Sequence, residues 1–288
     1  MMNPNIGILQ RSTLAFFLIF SGTVVQGQTA DSSLAEPAAV QGVNSMQVQA
    51  ADSQQLYRIN GVYAKSIWLD IKGAASAPFR WKGRDWAKFS ALTGAATVLY
   101  FTADKPVREL ILRNRNEFSN SAAEVVYPLG NRLPPVLIAG MYLTSVIVKD
   151  RKLEHSTLNI AKSLAISTLF YTASKSVIRR QRPTRTDDPQ LFVAPFSGDG
   201  YTSFPSGHAN TAFSVATAFA LEYKNHKWVP WVAYSLATLT AAGRMYQDRH
   251  WVSDVLIGSA MGHFITKTIY RLERERKVVK KDPYAFLR

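Results

Sequence analysis

The sequence predicts an all-α fold, a six-helix bundle, on two observations. From about Trp86 onward, apolar stretches recur at Phe89–Ala103, Leu133–Val148, Leu158–Val177, Ala209–Tyr223, Val229–Ala242 and Val252–Ile269. None shows the strict alternation of a half-buried strand, and all are longer than ordinary strands, so helix is the economical reading of each. Breakers and turn formers also fall between these stretches: Pro183 follows the third, and Pro205, Ser206 and Gly207 precede the fourth. A chain of 288 residues and 32.1 kDa has room for one large core.

Taken in order, residues 1–27 read as an export signal: a lone Arg11, an apolar run from Leu14 to Phe20, then small residues with Val25 and Gly27 placed as at a cleavage site. An uncleaved anchor helix is the alternative, although the apolar run is short for a span. Residues 28–78 read as a largely disordered linker. From Gln28 to Gln55 they are rich in Gln, Ala and Ser, hold no Lys or Arg, and offer too little apolar surface to offset the entropy of ordering. The helical domain is expected over 79–270 and a basic tail, "RLERERKVVKK" onward, over 271–288.

Within the domain, Asn159 and Lys162 interrupt the third stretch and His263 and Lys267 the last, and the mean hydropathy of -0.06 is low for a membrane bundle. Yet "VKDRK" at 148–152, "EYKNHK" at 222–227 and the tail follow every second helix, as inner loops would. Lys105, Arg108, Arg113 and Arg115 break that bias. The sequence thus leaves two arrangements open: helices that span the bilayer, or a bundle exported whole.

Lys and Arg number 34 against 20 Asp and Glu, a net charge of +14, which points to an anionic partner. Nucleic acid is disfavoured for an exported chain; a phosphorylated substrate and a membrane surface remain. The absence of cysteine excludes disulfides, thiolate zinc sites and cysteine nucleophiles.

Three clusters carry chemistry. "KSVIRRQRP" runs from Lys175 to Pro183, with Lys175 and Arg182 seven apart, two helical turns and therefore one face, and Pro183 ends the helix beside Arg182. "SFPSGHAN" runs from Ser203 to Asn210, where a turn feeds a helix whose first amides, with the Ser206 hydroxyl and His208 at its edge, suit an oxyanion. "GRMYQDRHWVSD" runs from Gly243 to Asp254; on a helix His250 and Asp254 would share a face, the carboxylate holding the ring in one tautomer. Arg244 offers a planar fork for phosphate and Lys175 a point charge. Lys175, Arg182, Ser206, Gly207, His208, Arg244, His250 and Asp254 together are what phosphoryl transfer needs without a metal.

These clusters resemble the three-part signature of the phosphatidic acid phosphatase type 2 and haloperoxidase superfamily: Lys, six residues, Arg-Pro; Pro-Ser-Gly-His; then Ser-Arg, five residues, His, three residues, Asp. Only Gly243 departs, standing where the pattern has serine. The resemblance implies a helical bundle with the site at one end. It implies that His250 attacks phosphorus, that Asp254 orients it, and that His208 protonates the leaving oxygen and later activates water. Lys175, Arg182, Ser206, Gly207 and Arg244 would hold the phosphoryl oxygens. It implies no cofactor, with vanadate an inhibitor, or a cofactor if the chain is a haloperoxidase. Phosphorylated lipid is the expected substrate and membrane association is expected, with the site on the periplasmic side; the sequence indicates no oligomeric state. The alternatives are a soluble periplasmic acid phosphatase on small esters, a vanadium haloperoxidase and a noncatalytic envelope protein. The loop between Pro183 and Ser203 is expected to border the entrance. Arg179 and Arg180 read as solvated bases, His263 as a satisfied or interfacial histidine, and Trp228, Trp231 and Trp251 as interfacial anchors or core.

Overall fold

The computed structural model of the chain describes residues 58–197 and 202–281. The expected signal, most of the linker and the last residues of the tail lie outside them. Among the described residues there are nine α-helices and one pair of two-residue strands, so the class is all-α and the expected count of six is too low. The helices are α1 (Gly61–Ala75), α2 (Gly83–Thr102), α3 (Asp104–Arg113), α4 (Glu117–Val126), α5 (Leu133–Val148), α6 (Arg151–Val177), α7 (Gly207–Glu222), α8 (Trp228–Tyr246) and α9 (Val252–Lys281). β1 (Arg179–Arg180) pairs antiparallel with β2 (Phe192–Val193).

The linker reading is corrected over its last part. Asn60 caps α1, its side chain accepting from the Tyr63 amide at 3.0 Å, and the helix docks through charge rather than through an apolar stripe. Buried Asp70 pairs with Lys162 at 2.9 Å and with Arg276, while Lys162 also meets Glu273 at 3.1 Å. A helix whose buried residues are Ser66 and Asp70 leaves little trace in a hydropathy pattern. The same network explains Lys162, whose polar interruption of α6 is a buried ion pair. The tail is corrected likewise, since α9 continues through 271–281 and buries Leu272 and Glu273.

α7 lies between α6, α8 and α9, and small residues let it approach closely. Ala209, Ala212 and Ala216 meet Ala237 and Ala241 of α8. On the other side a β-carbon at Gly258 would lie 2.4 Å from the Ser206 carbonyl oxygen, and one at Gly262 2.3 Å from that of Asn210, so only glycine permits this α7–α9 contact. Polar pairs join the same helices: Ser214 with Thr266 at 2.8 Å and Ser167 with Asn210 at 2.8 Å.

The 27 residues of α6 extend about 40 Å, and the chain runs up α6, down α7, up α8 and down α9. The far end is marked by Ser156 donating to Glu222 at 2.8 Å. The end of α6, the start of α7, the end of α8 and the start of α9 therefore meet at the other end. Among the described residues no single helix is long and apolar enough to cross a membrane; Glu117–Gly130 and Leu133–Val148, meeting at 49°, pass that test only together.

Candidate active site

Lys175 lies in the last turn of α6 and donates to the Thr202 carbonyl at 2.6 Å. The helix ends at Val177, five residues short of Arg182, which is a correction to the single-face reading of the two. Arg182 is extended, with φ -77° and ψ 149°, as a residue before proline is biased to be. Arg182 nonetheless lines the same cavity as Lys175. Ser206 caps α7, its hydroxyl accepting from the Ala209 amide, and His208 follows in the first turn.

His250 and Asp254 depart further from expectation. α9 begins at Val252, so His250 sits in the preceding loop and Asp254 in the first turn. The carboxylate accepts from the Trp251 amide at 3.0 Å, the contact a third-position acid makes with a helix cap. It also accepts from Ser203 Oγ at 2.5 Å and Arg180 Nη1 at 2.7 Å. His250 Nδ1 is 2.7 Å from the Ser203 carbonyl oxygen. A carbonyl only accepts, so Nδ1 carries the proton and Nε2 keeps its lone pair in the neutral ring. Asp254 thus reaches the ring through Ser203, not directly.

One cavity of about 1290 Å³ is lined by Lys175, Arg182, Gly207, His208, Arg244 and His250. Ser206 and Asp254 are fully buried behind its wall. Among the described residues Arg182 Nε, His208 Nε2 and Arg244 Nε are buried with no hydrogen-bond partner, although such atoms normally have one. Three polar groups of one cavity are therefore set for something that enters it.

The charges act on the imidazoles. Burial, reinforced by Arg244, Arg182 and Lys175, pulls His208 down to about 4. Burial, then Lys175, Arg182 and Arg244, holds His250 well below the usual range against the Ser203 carbonyl. Burial and Arg182 bring Lys175 down to about 8. Burial raises the Asp254 carboxyl, opposed first by Arg180.

Sequence reasoning missed the residues that brace the site. Arg180, read as solvated, is 1% exposed and bridges Asp254 to Asp104, whose Oδ2 it meets at 2.6 Å. Tyr100, Trp251 and Phe192 surround its guanidinium, which places Trp251 in the core, while Trp228 and Trp231 remain exposed. Breaking such a buried pair costs about 3–5 kcal/mol, because a carboxylate is left uncompensated. Asp104 also accepts from the Ser253 amide at 2.9 Å. One turn along α3, Arg108 clamps Asp248, at 2.7 Å, and Asp187. Tyr127 packs its ring against His208, centroids 5.0 Å apart, and lies under the Arg244 guanidinium. Gly243 has a steric reason: a β-carbon there would meet a Val126 methyl at 3.0 Å, so α4 leaves little room for the serine of the motif. His263 is satisfied by Thr217 and Tyr234, both at 3.0 Å. Among the described residues no three His, Cys, Asp or Glu side chains are grouped to hold a metal ion.

Comparison with known proteins places this geometry. The family model of the PAP2 superfamily matches residues 156–277, from near the start of α6 into the last turns of α9. A lipid A 1-phosphatase of Porphyromonas gingivalis is 28% identical over 195 residues, covering 67% of this chain and 39% of the relative. A lipid A 1-phosphatase of Rhizobium johnstonii is 35% identical over 102 residues, 35% of this chain and 41% of the relative. The chain thus spans about two fifths of the length of these relatives. Among solved structures, a transmembrane PAP2-type phosphatidylglycerolphosphate phosphatase from Bacillus subtilis superposes with a TM-score of 0.51 at 22% identity, over 65% of this chain and 94% of that one, which shows a shared fold. The three ordered motifs, the helical frame and the family match agree: residues 156–277 of this chain match the PAP2 superfamily.

Proposed function

We propose that the chain is a phosphatase that removes phosphate from a phosphorylated lipid through a phosphohistidine on His250, without a metal. The observation that carries this reading is the convergence of Lys175, Arg182, Arg244, His208 and His250 on one cavity, with unpartnered polar atoms on three of them. Lys175, Arg182, Arg244 and the Gly207 amide hold the phosphoryl oxygens and stabilise the charge that spreads over them in the transition state. Neutral His250 attacks through Nε2; the P–N bond forms as the P–O bond breaks, and the ring becomes cationic. The Ser203 carbonyl, itself tied to Asp254 through the same residue's hydroxyl, supports that cation. His208 gives its proton to the leaving oxygen, then takes one from the water that attacks the phosphohistidine and releases phosphate.

The relatives named as lipid A 1-phosphatases, and an undecaprenyl-diphosphatase of Sulfolobus acidocaldarius 25% identical over 138 residues, favour a lipid phosphate as substrate. The surface agrees: Phe118 of α4, Ile147 of α5 and Trp231 of α8 are 82%, 78% and 79% exposed, as suits membrane association. With an export signal, the site would open on the periplasmic side. The test uses purified full-length protein with EDTA present. Turnover of the wild type is expected to persist, and His208→Ala to slow first-turnover release of the leaving group about 10²–10⁴-fold for alkyl phosphates and far less for p-nitrophenyl phosphate, since that leaving group needs no proton. Loss of turnover with EDTA, or equal slowing of both esters, contradicts the reading.

A further inference from the structure

Beside the large cavity lies a second, of about 250 Å³, lined by Arg182, Thr184, Arg185, Thr202 and Arg249. Arg182, Thr202 and Arg249 line both, so the two spaces share a wall. Three guanidiniums and two threonines surround the smaller space, and among the described residues no carboxylate lines it. Among the described residues, the acids of the neighbouring loops and of the bracing network are engaged elsewhere: Asp187 and Asp248 by Arg108, Asp104 and Asp254 by Arg180, and Asp188 by the Gln190 amide. Among the described residues, Arg185 and Arg249 form no ion pair. Arg182 feels both: burial first, then Arg249 and Arg185, lower its pKa. Among the described residues no carboxylate offsets this repulsion, whereas an anion would convert it to attraction.

We propose that Arg185 and Arg249, with Thr184, form a second phosphate subsite that takes a phosphate-bearing group adjacent to the one being cleaved. The inference rests on the phosphatase reading only for which cavity holds the scissile group. Planar guanidiniums on a phosphate oxyanion explain why arginine lines this space throughout. Arg182 lines both subsites. The second group has two possible sources: another phosphoryl of the same substrate, or the headgroup of a neighbouring anionic lipid.

Binding to the full chain in neutral detergent, with no turnover required, decides. Calorimetry with methylphosphonate and methylenebisphosphonate gives a preference ratio for the doubly charged probe. The ratio is expected to fall about tenfold in R185Q/R249Q if the second phosphoryl belongs to the substrate, each lost charge-assisted bond accounting for a few-fold. If the ratio holds but R185Q/R249Q loses flotation on phosphatidylglycerol vesicles, and does so well beyond K224Q/K227Q, the neighbouring headgroup fills the subsite. A ratio unchanged together with flotation no weaker than that of K224Q/K227Q overturns the proposal. Should the wild-type chain bind neither phosphonate, the phosphatase reading fails, and the vesicle arm still decides the subsite.

Discussion

His208 and His250 lie under the same three cations, yet the proposed mechanism asks opposite things of them. His250 must be neutral to attack, and burial with Lys175, Arg182 and Arg244 keeps it so. His208 must carry a proton to give away, and the same forces bring it down to about 4. The conflict resolves if the substrate supplies the missing charge: a phosphate dianion between the cations and the ring favours the imidazolium and raises its pKa. A group whose pKa rises on binding takes up a proton, so its contribution to affinity is full below the free-state pKa and is lost as pH rises through the bound-state pKa. Nitrogen NMR of His208 with and without orthovanadate is expected to show its pKa rising by at least about one pH unit. An unchanged or lower value would mean that His208 does not face the bound oxyanion.

At the scale of elements, α7 and α9 set the site by lying unusually close. Gly258 and Gly262 bring the α9 backbone against the Ser206 and Asn210 carbonyls, fixing the phosphate turn against the loop that holds His250. Alanine ordinarily stabilises a helix by up to about 1 kcal/mol over glycine. At Gly262 the added carbon would sit 2.3 Å from the Asn210 carbonyl oxygen, and overpacking of this kind costs about 1–3 kcal/mol or more, so the clash wins. Gly262→Ala is expected to lower the melting temperature and impair turnover. Gly94→Ala on α2, where nothing lies within 4 Å of the new carbon, is expected to raise it slightly. Equal effects at both positions would show that the α7–α9 contact is not tight.

Across the molecule, what the sequence discloses is what lies in short windows. Lys175 to Arg182, Ser206 to His208 and Arg244 to Asp254 are local patterns, and their residues can be picked out without knowing the fold. Arg180 cannot, because its partners Asp104 and Asp254 are 76 and 74 positions away. Nor can α1, whose docking face is Asp70 against Lys162 and Arg276 rather than an apolar stripe. The helix boundaries at Val177 and Val252 escape because the extended segment beyond α6 and the loop before α9 are held by those distant partners. In the proposed mechanism the bundle brings three separated segments onto one phosphorus, with His250 as the group that forms the bond. The direct measurement uses His208→Ala, in which the intermediate should decay slowly, given a labelled aryl phosphate and quenched in base. Label is expected on His250 by peptide mass spectrometry, stable to alkali, lost in brief acid and absent from His250→Ala. Turnover that persists in His250→Ala, or label on any other residue, would contradict the account.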